Sequence, residues 1–402
     1  MNTGGMNTGG MNTAVMARSP VRRERHADVR VLQVDPSLFT APYDAALGTG
    51  LAMAGVRTDW ATRALRPGEE ADLPGPVLTC YRRSDGPRRA KGRINRLVKG
   101  GEHVLDLRRI VRAAHDGAYD LVHFQWALMP TFDIPAMRRI ARDRPVVLTV
   151  HDVTPFNGAG VSALQRRGFD ALFAVADHLI VHTDGARDSL LARGARASAI
   201  SVIPHGPLPL RRTPRAVDRP PGRWRVVLFG RLQSYKGIDV LVEALGLLAP
   251  ADRARIEVVV AGEAMIDLAP ITRRAADLGL EAPALRLIAR RLSEQDMADL
   301  LGSADTFVFP YRAIEASGVL FLVAGLGRWL IASDLGAFAD TIGHDGALGR
   351  LVAPGDPAAL AAALTEAIGR TPARAALVPE WDTIGARTAA VYRQVLAQRA
   401  VP

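Results

Sequence analysis

Residues 226–245 read VVLFGRLQSYKGIDVLVEAL. An apolar run stops at a glycine, a polar loop follows, and apolar residues return with helical spacing from Ile238. This is the pattern of a buried strand, a turn and a helix. A strand that is apolar throughout, with no alternation, is covered on both faces, as parallel sheets require. The same pattern repeats outward. In the second half the strand candidates are RVVLF (225–229), IEVVVA (256–261), LRLIA (285–289), TFVFP (306–310), WLIAS (329–333) and RLV (350–352). In the first half they are VRVLQV (29–34), DLVHF (120–124), PVVLTV (145–150), HLIVH (178–182) and ISVIP (200–204). Helices are expected to start near Tyr43, Val104, Thr131, Val161 and Asp184, several of them behind an Asp, Thr or Ser suited to an N-cap.

Strands alternating with helices in both halves predict an α/β protein made of two doubly wound domains. The proline- and arginine-rich HGPLPLRRTPRAVDRPPGRW (205–224) has neither period and contains the linker, placed at 208–224. The expected organisation is a disordered tail over 1–28, a first domain over 29–207, a second over 225–381, and a final helix over 382–402 that packs back on the first. A length of 402 residues suits two such cores.

Composition excludes several classes. Hydrophobic residues make up 48% and charged residues 23%, as in a folded globular chain. One cysteine, Cys80, allows no internal disulfide, and no cysteine–histidine cluster suggests a metal centre. No apolar run approaches the roughly 18 residues that span a bilayer, and the MNTGG-repeat start lacks the apolar core of a signal peptide. A cytoplasmic setting is expected. The net charge of +10 resides in the first half: residues 1–220 hold 32 of the 51 basic and 21 of the 41 acidic groups. Within it, 82–112 holds 11 basic against 3 acidic groups. This segment is read either as a face for an anionic membrane or as an ordinary solvated surface. With 5% aromatic residues and no reading motif, nucleic acid is not an expected partner.

In doubly wound sheets ligands bind beyond the carboxyl ends of the strands. After RVVLF come Gly230, Arg231 and, on the same loop, Lys236, ahead of a helix start that favours anions. Of the 51 basic residues only Lys91, Lys99 and Lys236 are lysines, which suggests a position where a compact point charge is wanted. Arg231 with Lys236 suits a diphosphate; both are otherwise solvated loop charges. After TFVFP, Glu315 could accept hydrogen bonds from hydroxyls or serve only the helix dipole. Ser317 and Gly318 allow close backbone approach at the next helix start. His151 closes PVVLTV, where a histidine is either structural or ligand-facing.

On these segments the chain resembles the retaining glycosyltransferases of family 4, with the two-domain GT-B fold of Rossmann-like domains facing a central cleft. The resemblance covers about Val29 to Leu396. GRLQSYKGIDVLVEAL resembles the family's donor-phosphate loop, and FPYRAIEASGVLFLVAGL falls where its Glu-x7-Glu segment lies. DLVHFQW, LTVHDVTPF, IVHTDGARDSLL and VIPHG resemble its first-domain motifs. It implies a nucleotide-diphosphate-sugar donor in the second domain, an acceptor in the first, and no metal. Arg231 and Lys236 then match the pair on the pyrophosphate, and Glu315 the carboxylate on the donor sugar. The amides of Gly318, Val319 and Leu320 match the backbone groups on the phosphates, and His151 the histidine facing the sugar. Polysaccharide or glycoconjugate assembly on a lipid-linked saccharide, at the inner face of the cell membrane, fits that reading.

Two departures stand out. Val323 occupies the place of the second glutamate, and DPSLFTAPYD (35–44) lacks the paired glycines many relatives carry after the first strand. The alternative is therefore a degenerate, catalytically weak GT-B protein acting as a binding or scaffold subunit.

Overall fold

The computed structural model describes Met1 and residues 29–65, 73, 77–85, 92–116, 119–153, 168–314, 317–373 and 379–400. The tail over 2–28, the helix expected near Val161 and Glu315 lie outside the described residues, as do 86–91 of the basic segment.

Seven parallel strands form the first sheet: β1 (Val29–Asp35), β2 (Val56–Arg63), β3 (Val77–Cys80), β4 (Leu121–Phe124), β5 (Val146–Thr149), β6 (His178–Val181) and β7 (Ile200–Val202). Their order is β3-β2-β1-β4-β5-β6-β7. Six form the second: β8 (Trp224–Phe229), β9 (Ile256–Ala261), β10 (Leu285–Ile288), β11 (Thr306–Phe309), β12 (Trp329–Ser333) and β13 (Gly349–Val352), in the order β10-β9-β8-β11-β12-β13. Both sheets are parallel throughout, with registers such as Val31 opposite Leu121 and Val226 opposite Thr306. The strand order reverses between β1 and β4 and again between β8 and β11. Each reversal opens a crevice at the carboxyl ends of the two strands, so topology alone names two loop pairs as binding sites.

All six second-half strands stand where the sequence places them. In the first half β2 and β3 are not among the strands the sequence predicts, and α2 (Gly92–His115) begins well before the expected Val104. The basic, glycine-containing start of α2 has no clean apolar period, because much of it faces solvent. The other face of α2 holds the loop after β3. Glu102 accepts from the amides of Arg83 and Ser84 (both 2.8 Å), and Asp106 from the amide of Tyr81 (2.8 Å). The Tyr81 hydroxyl meets His103 Nδ1 at 2.7 Å, and His103 Nε2 meets Asp133 of α3 (Pro130–Ile140) at 2.8 Å.

The last helix, Trp381–Ala400, returns to the first sheet. Ile384, Tyr392 and Val395 share a core with Val31 and with Leu47 and Leu51 of α1 (Ala41–Met53). The two helices cross at Gly50 and Gly385, where a Cβ on Gly50 would stand 2.0 Å from the Trp381 carbonyl oxygen. Only glycine permits that approach.

Candidate active site

The β8–β11 crevice is built by two loops held together. Gly237 takes a left-handed φ of +66°, and a Cβ there would lie 1.9 Å from the Pro310 carbonyl oxygen, so the loops touch backbone to backbone. The Arg312 amide donates to the Tyr235 carbonyl (2.8 Å), and its guanidinium forks onto Asp239 (2.8 and 2.6 Å). A fork of this kind fixes both partners in one geometry.

Lys236 lies inside this junction. The sequence suggests a mobile loop cation; the structure instead buries it to 3% exposure. Its ammonium donates to the Phe229 carbonyl (2.9 Å) and the Tyr311 hydroxyl (2.7 Å), and the Ser317 hydroxyl bonds the same phenol. Lys236 has no carboxylate partner among the described residues. Burial, and secondarily the nearby Arg231 guanidinium, push its pKa down to about 7. Arg231 is exposed and likewise free of any ion pair among the described residues. Two neighbouring cations with no ion pair among the described residues, one of them desolvated, attract negative charge.

Gly230 begins the first loop. Ser317 is buried at the start of the six-residue helix Gly318–Val323, whose first-turn amides, on Gly318, Val319 and Leu320, have no intrahelical partner. The Leu320 side chain belongs to the core, so only its backbone is available. Val323 also belongs to the core, fully buried in the cluster that holds Phe309, Tyr311 and Phe338.

His151 follows β5 on the first domain. Its ring stacks on Trp126 (5.1 Å, 13°) and meets the edge of Tyr43 (4.9 Å, 87°). Its Nδ1 lies 3.2 Å from His182 Nε2, and its Nε2 lies 3.3 Å from Gln125 Oε1. Burial, then the neighbouring His182, hold its pKa well below the usual histidine range.

Contacts between the domains set these two groups opposite one another. Asp152, the residue after His151, is close enough to raise the Tyr235 phenol, after burial itself. His205 stacks on Phe321 of the short helix (4.0 Å, 3°), and the Leu208 amide donates to the Phe321 carbonyl (3.0 Å). His182, His205, Trp126 and Tyr311 were not singled out from the sequence. The two histidines do stand in IVHTDGARDSLL and VIPHG, where the motifs themselves were the available signal.

The β1–β4 crevice holds the loop without paired glycines. Leu38 nevertheless adopts a left-handed φ of 49°, so a leucine takes the conformation glycine would allow freely. Beside it Asp35 and Asp44 are fully buried together. Burial, against hydrogen bonds from the loop, pushes Asp35 up to about 6; burial and the Asp35 charge raise Asp44 well above the usual carboxylate range.

Comparison with known proteins agrees with this architecture. The sequence profile described as Glycosyltransferase Family 4 matches residues 45–206, and that described as Glycosyl transferases group 1 matches 223–370. The chain is 30% identical to a D-inositol 3-phosphate glycosyltransferase of Geodermatophilus obscurus, over 90% of this chain and 87% of that one. It is 29% identical to the Nocardiopsis dassonvillei protein of the same name, over 91% and 95%. A phosphatidyl-myo-inositol mannosyltransferase of Mycolicibacterium smegmatis is 27% identical over 72% of this chain and 74% of that one. Among solved structures, Anabaena HepE in complex with UDP and glucose superposes with a TM-score of 0.61 at 19% identity, covering 93% of this chain and all of that one. Sucrose-phosphate synthase from Thermosynechococcus elongatus gives 0.63 at 18%, covering 92% and 100%. These likenesses establish the GT-B fold, and with the sequence relatives they show that the chain belongs to the family 4 glycosyltransferases.

Proposed function

We propose that the protein moves a sugar from a nucleotide-diphosphate-sugar donor to an acceptor, with retention of configuration. The observation that carries this reading is Lys236, a desolvated ammonium with no carboxylate partner among the described residues, beside Arg231 at the crevice where a doubly wound sheet binds ligands. Departure of a nucleoside diphosphate puts negative charge on the β-phosphate. Buried Lys236, exposed Arg231 and the amides of Gly318, Val319 and Leu320 lower the barrier by meeting that charge. The reading needs no metal, so chelation of divalent ions leaves the rate unchanged. Glu315 and His151 serve the donor sugar, as the family resemblance implies.

For the acceptor, the relatives' names support an anionic polyol, free or lipid-linked; a lipid-linked saccharide in glycoconjugate or polysaccharide assembly rests on the family resemblance alone. The first domain's excess positive charge suits either. No helix among the described residues is long and apolar enough to cross a membrane. Exposed Ile94, Leu97 and Leu105 on basic α2, with Phe132 of α3, support peripheral contact with an anionic surface. Co-sedimentation with anionic vesicles, lost in high salt and absent with neutral vesicles, is the expected result; binding indifferent to both removes this part of the reading.

A second reading rests on Val323. Its burial where the family carries a carboxylate supports a weakly catalytic scaffold subunit. Product analysis with nucleotide sugars and candidate acceptors decides: glycosylated product that is lost in Arg231→Ala supports the enzyme, whereas binding without product supports the scaffold.

A further inference from the structure

Behind His151 runs a buried polar string whose two ends are chemically unlike. One end is the main-chain carbonyl of Ile203, 2.9 Å from His182 Nδ1, with His182 Nε2 then 3.2 Å from His151 Nδ1. Beyond His151 Nε2 the string continues through Gln125 (3.3 Å), Gln33 (3.0 Å), the Tyr392 hydroxyl (3.0 Å), His123 Nδ1 (2.6 Å) and, from His123 Nε2, Thr149 Oγ1 (2.8 Å). Among these, Gln33, His123, Gln125 and Tyr392 are fully buried, and Tyr392 comes from the last helix.

A neutral histidine carries one ring hydrogen, so each can donate in one direction only. With Gln125 Nε2 donating to Gln33, its Oε1 faces His151 and asks for a hydrogen on Nε2. The Ile203 carbonyl can only accept, so it asks for the hydrogen of His182 on Nδ1. His182 Nε2 is then bare and asks for the hydrogen of His151 on Nδ1. The two demands on His151 conflict. An amide side chain turns over about its last bond and keeps the same partners with donor and acceptor exchanged; a backbone carbonyl cannot. With both amides turned, Gln125 donates to His151 Nε2, Gln33 to Gln125, Tyr392 to Gln33, His123 to Tyr392 and Thr149 to His123. Every contact is then satisfied with all rings neutral.

We propose that His182 is a positioning residue which, backed by the Ile203 carbonyl, fixes His151 as the Nδ1–H tautomer with a bare Nε2. The significance for catalysis rests on the reading that His151 faces the donor sugar. Neutrality follows from the surroundings. The rings meet Tyr43 from α1 and His205 after β7, with His123 on β4 and Asp152 next in sequence. Burial and the other histidines disfavour a charge on His151. Trp126 stacked on one face holds the ring plane, so tautomer and orientation are set together.

The test is 15N NMR of the histidine ring nitrogens in the full chain at about pH 7.5, with the His151 signals assigned through their loss in His151→Gln. The expected result is hydrogen on His151 Nδ1. His182→Gln preserves an acceptor toward His151 and a donor toward Ile203, so it should keep that tautomer and most of the turnover. His182→Leu should release the tautomer and lower kcat by about 10- to 100-fold, as misalignment of a positioned group does. Hydrogen on His151 Nε2 in the unaltered protein, or Nδ1–H persisting in a folded His182→Leu, overturns the proposal. The first of these readouts needs no His182 variant to fold. The donor-site reading fails separately, if His151→Ala retains full turnover, and that result leaves the tautomer measurement standing.

Discussion

The Lys236 ammonium stands 2.7 Å from the Tyr311 hydroxyl and 2.9 Å from the Phe229 carbonyl, in a position where a cation gains two neutral oxygens but no carboxylate among the described residues. That arrangement is unfavourable to the unliganded fold and favourable to an incoming diphosphate. Lys236→Ala should lower turnover by about 100-fold or more, the scale of losing one transition-state donor. Lys236→Arg should recover only part of it, since the larger guanidinium has to disturb the close contacts to Phe229 and Tyr311. Lys236→Met should raise the melting temperature at pH 7–8 while abolishing activity. Burial has depressed the folded-state pKa to about 7 from the ordinary 10.5, so protonation of the unfolded chain removes stability as pH falls from about 10 toward 7. Steady-state kinetics and thermal melts on the three variants check all of this.

Donor capture should also depend on pH with a definite sign. The charged form of Lys236 receives the diphosphate, and its pKa in the free protein is about 7. The kcat/KM for donor should therefore fall as pH rises through about 7, because that parameter reports the free enzyme. Lys236→Arg should remove the inflection whatever activity it keeps. A profile flat from pH 6 to 9 in the unaltered protein would exclude Lys236 as the titrating cation.

Val323→Glu should destabilise the second domain and leave donor affinity no better. The side chain is fully buried among Phe309, Tyr311 and Phe338, where a carboxylate is stripped of water. An unpaired buried charge costs several kcal/mol. Urea unfolding should show the loss. A stable variant that binds nucleotide sugar more tightly would mean that residue 323 reaches the donor after all.

Asp44→Asn should stabilise the first domain at neutral pH. Both buried acids have raised pKa values, Asp35 about 6, so the unfolded chain ionises first as pH rises above about 4 and the native pair loses ground from there through about 6. Removing one charge relieves this. We expect a rise in melting temperature on the order of 3 °C at pH 7.5, vanishing near pH 4. An equal shift at both pH values would assign it to packing instead.

How much of this was legible in the sequence depended on burial. The strands of the second sheet are mostly apolar because helices cover both faces, with charges such as Arg225, Glu257 and Arg286 near their starts, and each could be read directly. VRTDWATR, the second strand, mixes Arg57, Thr58 and Asp59 into its first half, and Arg57 is exposed, so its pattern is not that of a covered strand. VLTC is a four-residue edge strand behind two prolines. The cationic pair and His151 were legible as candidates because they follow strands. The burial of Lys236 was not, because it arises from Pro310 and Tyr311, 74 and 75 residues away in sequence, folding over Gly237. His182 escaped for the same reason: its meaning lies in a carbonyl and a second ring that only the sheet brings together.

The most direct test of the central claim is a thermal-shift titration of the unaltered protein and Lys236→Met against UDP-, GDP-, TDP- and ADP-sugars. At least one should stabilise the unaltered protein, by roughly 2.7 kcal/mol at about 100 times its dissociation constant, and fail to stabilise the variant. An equal shift in both proteins, or none in the unaltered protein near millimolar concentrations with and without acceptor, would contradict a donor diphosphate held at Arg231 and Lys236.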